Sequence, residues 1–314
     1  MKTNLIYYIL SAALYASCSQ GDAAAGLAGE ADRAPLIVTS PSLQAGIETR
    51  AGTYRALTAG AIGLFLDNAV TSVAYKAKTN VKYTCATPQW QPATEADHLY
   101  LVAADADICA YYPYDAAVTD KTAVDVSAKL LPSGTPPPAY ATNVTKSRTD
   151  NTVSFQMNQA CAWLEIKFTR GNIKDGCTLS GFSLVNAGLY DTYRINIATG
   201  AEVEKTPAID GEIIFADDIA LAANTTVTRS IAMPPAPVLT GGLKVATTLK
   251  EYDGKQMSVT LAGITALERA TKYTVNLTVN ATDIELTSVQ VQTEWDNLAV
   301  KDDGDVPFNP DVVE

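Results

Sequence analysis

A cysteine directly behind a short apolar run can carry a lipid, and Leu14-Tyr15-Ala16-Ser17-Cys18 presents that arrangement near the start of the chain. Lys2 supplies a positive start and Leu5 to Leu14 an apolar stretch well short of the roughly 20 residues a membrane-spanning helix needs. Ala16 and Ser17 are the small residues a signal peptidase requires. The usual signal has Leu three places before the cysteine; here Tyr15 stands there and Leu14 one place earlier. The pattern predicts removal of residues 1–17, a lipid on Cys18 and a mature protein held at a membrane outside the cytoplasm.

Other chemistry is sparse. His98 is the only histidine, so no multi-histidine metal centre can form. It lies in Glu95-Ala96-Asp97-His98-Leu99-Tyr100 at the start of an apparent strand, and no G-x-S-x-G or comparable nucleophile context accompanies it. H-E-x-x-H, glycine-rich phosphate loops and G-x-G-x-x-G are all missing. Asp105 with Asp107, Asp217 with Asp218, and Asp302-Asp303-Gly304-Asp305 could offer oxygen ligands, but none has the ligand spacing of a calcium loop. They read as solvated acidic turns. Tyr111-Tyr112-Pro113-Tyr114, Trp90, Trp163 and Trp295 could stack on sugars, although aromatic residues at strand ends more often plug a core. These residues predict no metal, no cofactor and no enzymatic activity, with paired-carboxylate glycosidase chemistry a distant third reading.

Acidic residues outnumber basic ones 34 to 23, which repels phosphate backbones and disfavours nucleic acid as a partner. With Cys18 lipidated, Cys85, Cys109, Cys161 and Cys177 remain. An even count in an exported protein permits two disulfides, yet none falls in a C-x-x-C pair, and buried free thiols fit a core of this size equally well.

The elements that would position these residues are strands. Residues 18–35 are small and read as a flexible tether. From Leu36 onward, short segments rich in Val, Ile, Thr and Tyr alternate with Gly, Pro, Asn and Asp, and no ten-residue window keeps a helical apolar period. Tyr273 to Asn280 alternates strictly, apolar at odd positions and polar at even ones. Leu243 to Leu249 and Met257 to Leu261 flank Tyr252-Asp253-Gly254-Lys255, a hairpin signature. Ala162, Leu164, Ile166 and Phe168 share one strand face. Tyr273, behind Ala270-Thr271-Lys272, suits a tyrosine corner. Two proline-rich stretches, 131–140 and 233–237, read as rigid surface loops. The fold class is all-β, two tandem antiparallel sandwiches spanning 36–160 and 161–314.

The order of segments resembles the fimbrillin family, the type V pilus subunits of Bacteroides-type bacteria and their lipoprotein relatives. The pieces are the lipoprotein signal, a first strand from Leu36-Ile37-Val38-Thr39 to Ile47-Glu48 ending in Thr49-Arg50-Ala51, then Ala61-Ile62-Gly63-Leu64-Phe65 and Ala110-Tyr111-Tyr112-Pro113-Tyr114. Ala162-Trp163-Leu164-Glu165-Ile166-Lys167-Phe168, Ala270 to Leu277 and Val289-Gln290-Val291-Gln292-Thr293-Glu294-Trp295 complete the series. The resemblance implies transthyretin-like sandwiches, passage through the outer membrane as a lipoprotein, cleavage by an arginine-specific protease after the first strand, and polymerisation by strand exchange in a surface fimbrium. It places the cut after Arg50, with Arg33 and Arg55 as alternatives, and makes other fimbrial subunits the partners.

Removing a strand that carries Leu36, Val38, Leu43, Ala45 and Ile47 would strip one edge of a sandwich. The C-terminal run is a candidate replacement, its donor residues being Val289, Val291 and Trp295. Ile284 and Leu286 alternate in one phase and Val289 and Val291 in the other, so a bulge or break is expected at Thr287-Ser288. The rival reading is a lipoprotein that stays anchored and binds a host protein or glycan through Tyr111, Tyr112, Tyr114 or an exposed Trp.

Overall fold

A computed structural model describes residues 32–45, 53–69, 74–86 and 89–293. Cys18, Arg50, Trp295, Ile47 and the acidic tail lie outside the described residues. Among the described residues no helix is long and apolar enough to cross a membrane.

The first part of the chain forms β1 (Ala34–Pro35), β2 (Ile37–Val38), β3 (Ser42–Ala45), β4 (Thr53–Ala56), β5 (Ala61–Asn68), β6 (Lys78–Ala86), β7 (Gln89–Pro92), β8 (Tyr100–Leu101) and β9 (Ala106–Tyr112). β10 (Val124–Ser127), β11 (Lys129–Leu131), β12 (Ala139–Lys146), β13 (Thr152–Val153) and β14 (Gln156–Gln159) follow. Ten of these strands make one sheet in the order β13-β2-β7-β6-β5-β9-β12-β14-β3-β4. Because β2 runs on into β3 and β13 into β14, both segments pass from one end of that order to the other, and the sheet folds over on itself. Ile62, Leu64, Tyr83, Ile108, Phe155 and Met157 fill the interior, each no more than 2 % exposed. Gly63 sits in the middle of β5 because a Cβ there would lie 2.1 Å from the Tyr111 ring.

The later part comprises β15 (Ala162–Arg170), β16 (Cys177–Val185), β17 (Tyr190–Asn196), β18 (Ala201–Pro207), β19 (Glu212–Phe215), β20 (Ile219–Leu221) and β21 (Thr226–Met233). It ends with β22 (Leu243–Leu249), β23 (Lys255–Leu261), β24 (Lys272–Val279) and β25 (Ile284–Gln292). Two sheets, β11-β21-β15-β24-β25 and β19-β16-β22-β23, face each other. The face of β15 that alternation selects, Ala162, Leu164, Ile166 and Phe168, is completely buried, and Phe168 meets Phe182 of the opposite sheet at 5.5 Å between ring centroids. The fold is therefore all-β and built as sandwiches.

Most pairs are antiparallel. β15 with β24, β2 with β13, and β3 with β14 are parallel, a mixture that alternation alone does not disclose. The hairpin forms in register Leu249↔Lys255, its turn taken by Asp253 and Gly254 at φ of 54° and 65°. Two successive left-handed residues are what an Asp-Gly pair supplies in a tight turn. The Tyr273 hydroxyl accepts the Glu268 amide at 2.9 Å, the tyrosine corner that the sequence suggests.

The expected boundary at residue 160 falls between β14 and β15, yet β10 pairs with β17 and β11 with β21 across it. The small sheet β10-β17-β18 lies over both sandwiches. Tyr193 and Ile195 from it share a buried cluster with Phe65, Cys109 and Tyr111 of the first sandwich and Trp163 and Ala232 of the second. The proline stretches differ from expectation as well. Their ends belong to β11, β12 and β21 and their prolines lie in irregular backbone, but Pro136 to Pro138 and Pro234 are buried. Residues without an N–H suit this buried irregular backbone because they bring no donor to satisfy.

Candidate functional site

The leading segment, residues 32–45, is held at every step. Leu36 N–H donates to the Leu99 carbonyl (2.7 Å), Ile37 to Asn151 (2.8 Å), Thr39 to Val153 (2.9 Å) and Ser42 to Phe155 (2.8 Å). The Thr39 hydroxyl also reaches the Val153 carbonyl, and the Asn151 amide donates to the Pro35 carbonyl at 2.8 Å. Leu36, Val38 and Leu43 are 4 %, 1 % and 4 % exposed, whereas Ile37 points outward at 37 %. The apolar positions change phase between Val38 and Leu43 because the Ser40-Pro41 link carries the chain from one face of the sandwich to the other.

One expectation changes here. The leading segment does not form a single edge strand: it is broken into β1, β2 and β3, and β2 and β3 are interior. β2 lies between β13 and β7, and β3 between β14 and β4. Its removal would open a slot bordered on both sides by strands that have lost a ladder partner. Burial of three aliphatic side chains at roughly 1.5–3 kcal/mol each sets the scale of what would be lost, about 5–9 kcal/mol before hydrogen bonds.

The clamp against which the segment lies, residues 151–159, escaped the sequence reading. Its alternation of Val153, Phe155 and Met157, all at most 1 % exposed, was the available signal. Two-residue strands are too short to stand out from loops.

The arginines differ in setting. β3 and β4 pair as Ala45↔Thr53 and Leu43↔Arg55, so Arg55 lies within a paired strand and residues 46–52, including Arg50, connect the two arms. Arg33 precedes β1, 4.5 Å above the Tyr100 ring, beside an Asp32–Arg148 ion pair of 2.8 Å.

At the other end of the chain, β25 is the border strand of its sheet. Ser288 faces Asn276 while Leu286 faces Leu277, leaving Thr287 as the extra residue. The bulge stands where the phase change puts it, and the strand continues through it. Val289 faces Val275 and Val291 faces Tyr273. Val291 is 51 % exposed and Val289 packs partly against the core.

The remaining candidates are structural. Tyr111 and Tyr112 are buried, and the Tyr111 hydroxyl donates to Asn80 Oδ1 (2.7 Å) or the Asp115 carbonyl (2.8 Å) while accepting the Asp115 amide (3.0 Å). Trp90 and Trp163 are buried too. Tyr114 is half-buried with Lys82 5.3 Å from its ring centroid. His98 sits at a strand start, 3.4 Å from Glu95. Asp107 accepts the Thr145 hydroxyl and Asp218 pairs with Lys250. Among the described residues no group of three or more His, Cys, Asp or Glu could hold a metal ion. Cys85, Cys109, Cys161 and Cys177 are free thiols, and burial pushes Cys109 and Cys161 up to about 12.

Solved structures share this arrangement of strands. A candidate cell adhesion protein of Bacteroides uniformis superposes with a TM-score of 0.56 at 21 % identity, covering 84 % of this chain and 99 % of that one. Similar proteins from Bacteroides ovatus (TM-score 0.58, 19 % identity, 83 % and 98 % covered) and Bacteroides fragilis (0.57, 13 %, 83 % and 98 %) give the same fold. Comparison with curated proteins returns no match. A family model described as fimbrillin-like matches residues 49–295, most of the chain. On that match the chain belongs to the fimbrillin-like family: it is a structural, non-enzymatic fimbrial subunit of the cell surface that associates with other fimbrial subunits.

Proposed function

We propose that the chain is exported as a lipoprotein anchored to the outer membrane through Cys18, cut after Arg50 by an arginine-specific protease, and polymerised by strand exchange into an adhesive fimbrium. The observation that carries this reading is the leading segment. It is bonded on both sides along β2 and β3, it buries Leu36, Val38 and Leu43, and it joins the rest of the chain only through residues 46–52. A cut there leaves it attached by non-covalent contacts alone. Its departure exposes two sets of unpaired backbone groups and an apolar slot, a surface that a matching strand would fill. The fimbrillin-like match begins at residue 49, at the proposed cut.

In this reading the donor is the C-terminal run with Val289, Val291 and Trp295. Residues 289–292 peel from β24 at the Thr287 bulge and enter a neighbour. Tyr111 and Tyr112 are buried and Tyr114 is half-buried, so an anchored glycan binder built on this aromatic group has little support. A host protein or glycan then meets the assembled fimbrium rather than that cluster, in keeping with the cell adhesion names of the related structures.

Purified precursor treated with an arginine-specific protease should give ladders on gels run without boiling, and Arg50→Ala should give intact monomer with an unchanged circular dichroism spectrum. Val291→Asp should also block ladders while changing stability by no more than ~0.5 kcal/mol, because the side chain is exposed in the uncut chain. Ladders from Arg50→Ala would sink the proposal.

A further inference from the structure

The later sandwich carries an apolar surface that neither the leading segment nor its clamp explains. Ile209 is 83 % exposed and Ile214 70 %, and both line a groove of about 710 Å³ together with Leu130. Large aliphatic side chains gathered in one concavity and left in water mark a place where another molecule sits. The groove lies between two sheet borders. β11 ends the sheet β11-β21-β15-β24-β25, and β19 ends the sheet β19-β16-β22-β23. Among the described residues neither has a ladder partner on its outer side, so each offers free backbone donors and acceptors.

The groove's charge is one-sided. Asp191, Asp210, Glu212 and Asp217 line it against the single cation Lys129. Among the described residues none of these four carboxylates has an ion pair. We infer that the groove takes an extended segment of a partner protein, added as a strand to the outer edge of β19, in which one face carries aliphatic and basic side chains by turns, because Glu212 and Ile214 stand together on the exposed face of β19. Strand pairing supplies affinity without sequence demands, the aliphatic side chains cover Ile209 and Ile214, and the basic ones meet the carboxylates. The chain's own C-terminal run does not fit, because Val289-Gln290-Val291-Gln292-Thr293-Glu294-Trp295 offers no basic side chain. The partner is therefore a different and more basic protein, and the inference stands whether or not strand exchange drives assembly.

The test uses the whole chain and three fluorescent peptides about eight residues long, the length of an ordinary strand. One carries Val and Lys by turns at every second position with Thr between them, one has Glu in place of Lys, and one has the composition of the first with its Val and Lys in separate blocks. Titration should show the first peptide binding about tenfold or more tightly than either control, an electrostatic and patterning preference together. Hydrogen exchange should slow at amides 212–215 when it binds. Ile209→Ser with Ile214→Ser should weaken binding about tenfold, and Glu212→Lys with Asp217→Lys should turn the preference toward the Val-Glu peptide. The inference is overturned if no peptide binds, if the blocked peptide binds as well, if the variants bind like wild type, or if protection appears elsewhere.

Discussion

Ala45 and Thr53 face each other at the end of the antiparallel pair formed by β3 and β4. Arg50 falls between these two strands in the sequence. Arg55, two residues into β4, is instead paired with Leu43 and its peptide bonds belong to a ladder. Limited digestion with an arginine-specific protease is expected to cut after Arg50 and spare Arg55, since proteases need unpaired backbone. Mass spectrometry of the fragments decides it, and a dominant cut after Arg55 would contradict the role assigned to this hairpin.

The leading segment's hold is expected to be concentrated in few side chains. Leu43→Ala in the uncut chain removes a buried side chain and should cost about 3 kcal/mol in urea unfolding. Ile37→Ala, one face over, should cost less than about 1 kcal/mol because the side chain is already partly in water. Equal losses for the two would mean that the segment's burial has been misassigned.

Tyr273→Phe tests the corner that closes the later sandwich. The variant keeps the ring, which is 4 % exposed, and deletes the oxygen that accepts the Glu268 amide. Loss of about 1 kcal/mol is expected, the net contribution of one partly buried hydrogen bond. A neutral result would show that water replaces the hydroxyl.

Much of this fold can be read along the chain wherever a strand has one buried face. The alternation in 162–168 and 273–279, the Asp-Gly turn and the phase change at Thr287 all appear as expected, because each depends on residues adjacent in sequence. Three features do not. The parallel pairing of β15 with β24 depends on residues 109 apart in register (Trp163↔Lys272), which no local pattern encodes. The clamp 151–159 is invisible because its strands are two to four residues long. β10 and β11 join the later sheets although they precede residue 160, since short strands go wherever a border lacks a partner. For the site, the buried apolar residues Leu36, Val38 and Leu43 of the leading segment are legible in the sequence. That β2 and β3 are interior is not, because it depends on what lies on both sides of them.

The buried thiols and phenol give a pH dependence of definite sign. Burial pushes Cys109, Cys161 and Tyr111 up to about 12 each, against ordinary values near 9, 9 and 10. A group whose pKa is raised by folding stabilises fully below its unfolded value and loses that contribution as pH climbs to its folded value. Stability should therefore fall between about pH 9 and 12, and the fall should be shallower in Cys161→Ala. Melting temperatures across that range check it; a flat profile would contradict the burial of these groups.

The most direct measurement is denaturing mass spectrometry of the purified polymer. If a neighbour's C-terminal strand replaces the leading segment, subunits begin at Ala51 and the fragment ending at Arg50 is missing. One such fragment retained per subunit would contradict strand exchange outright.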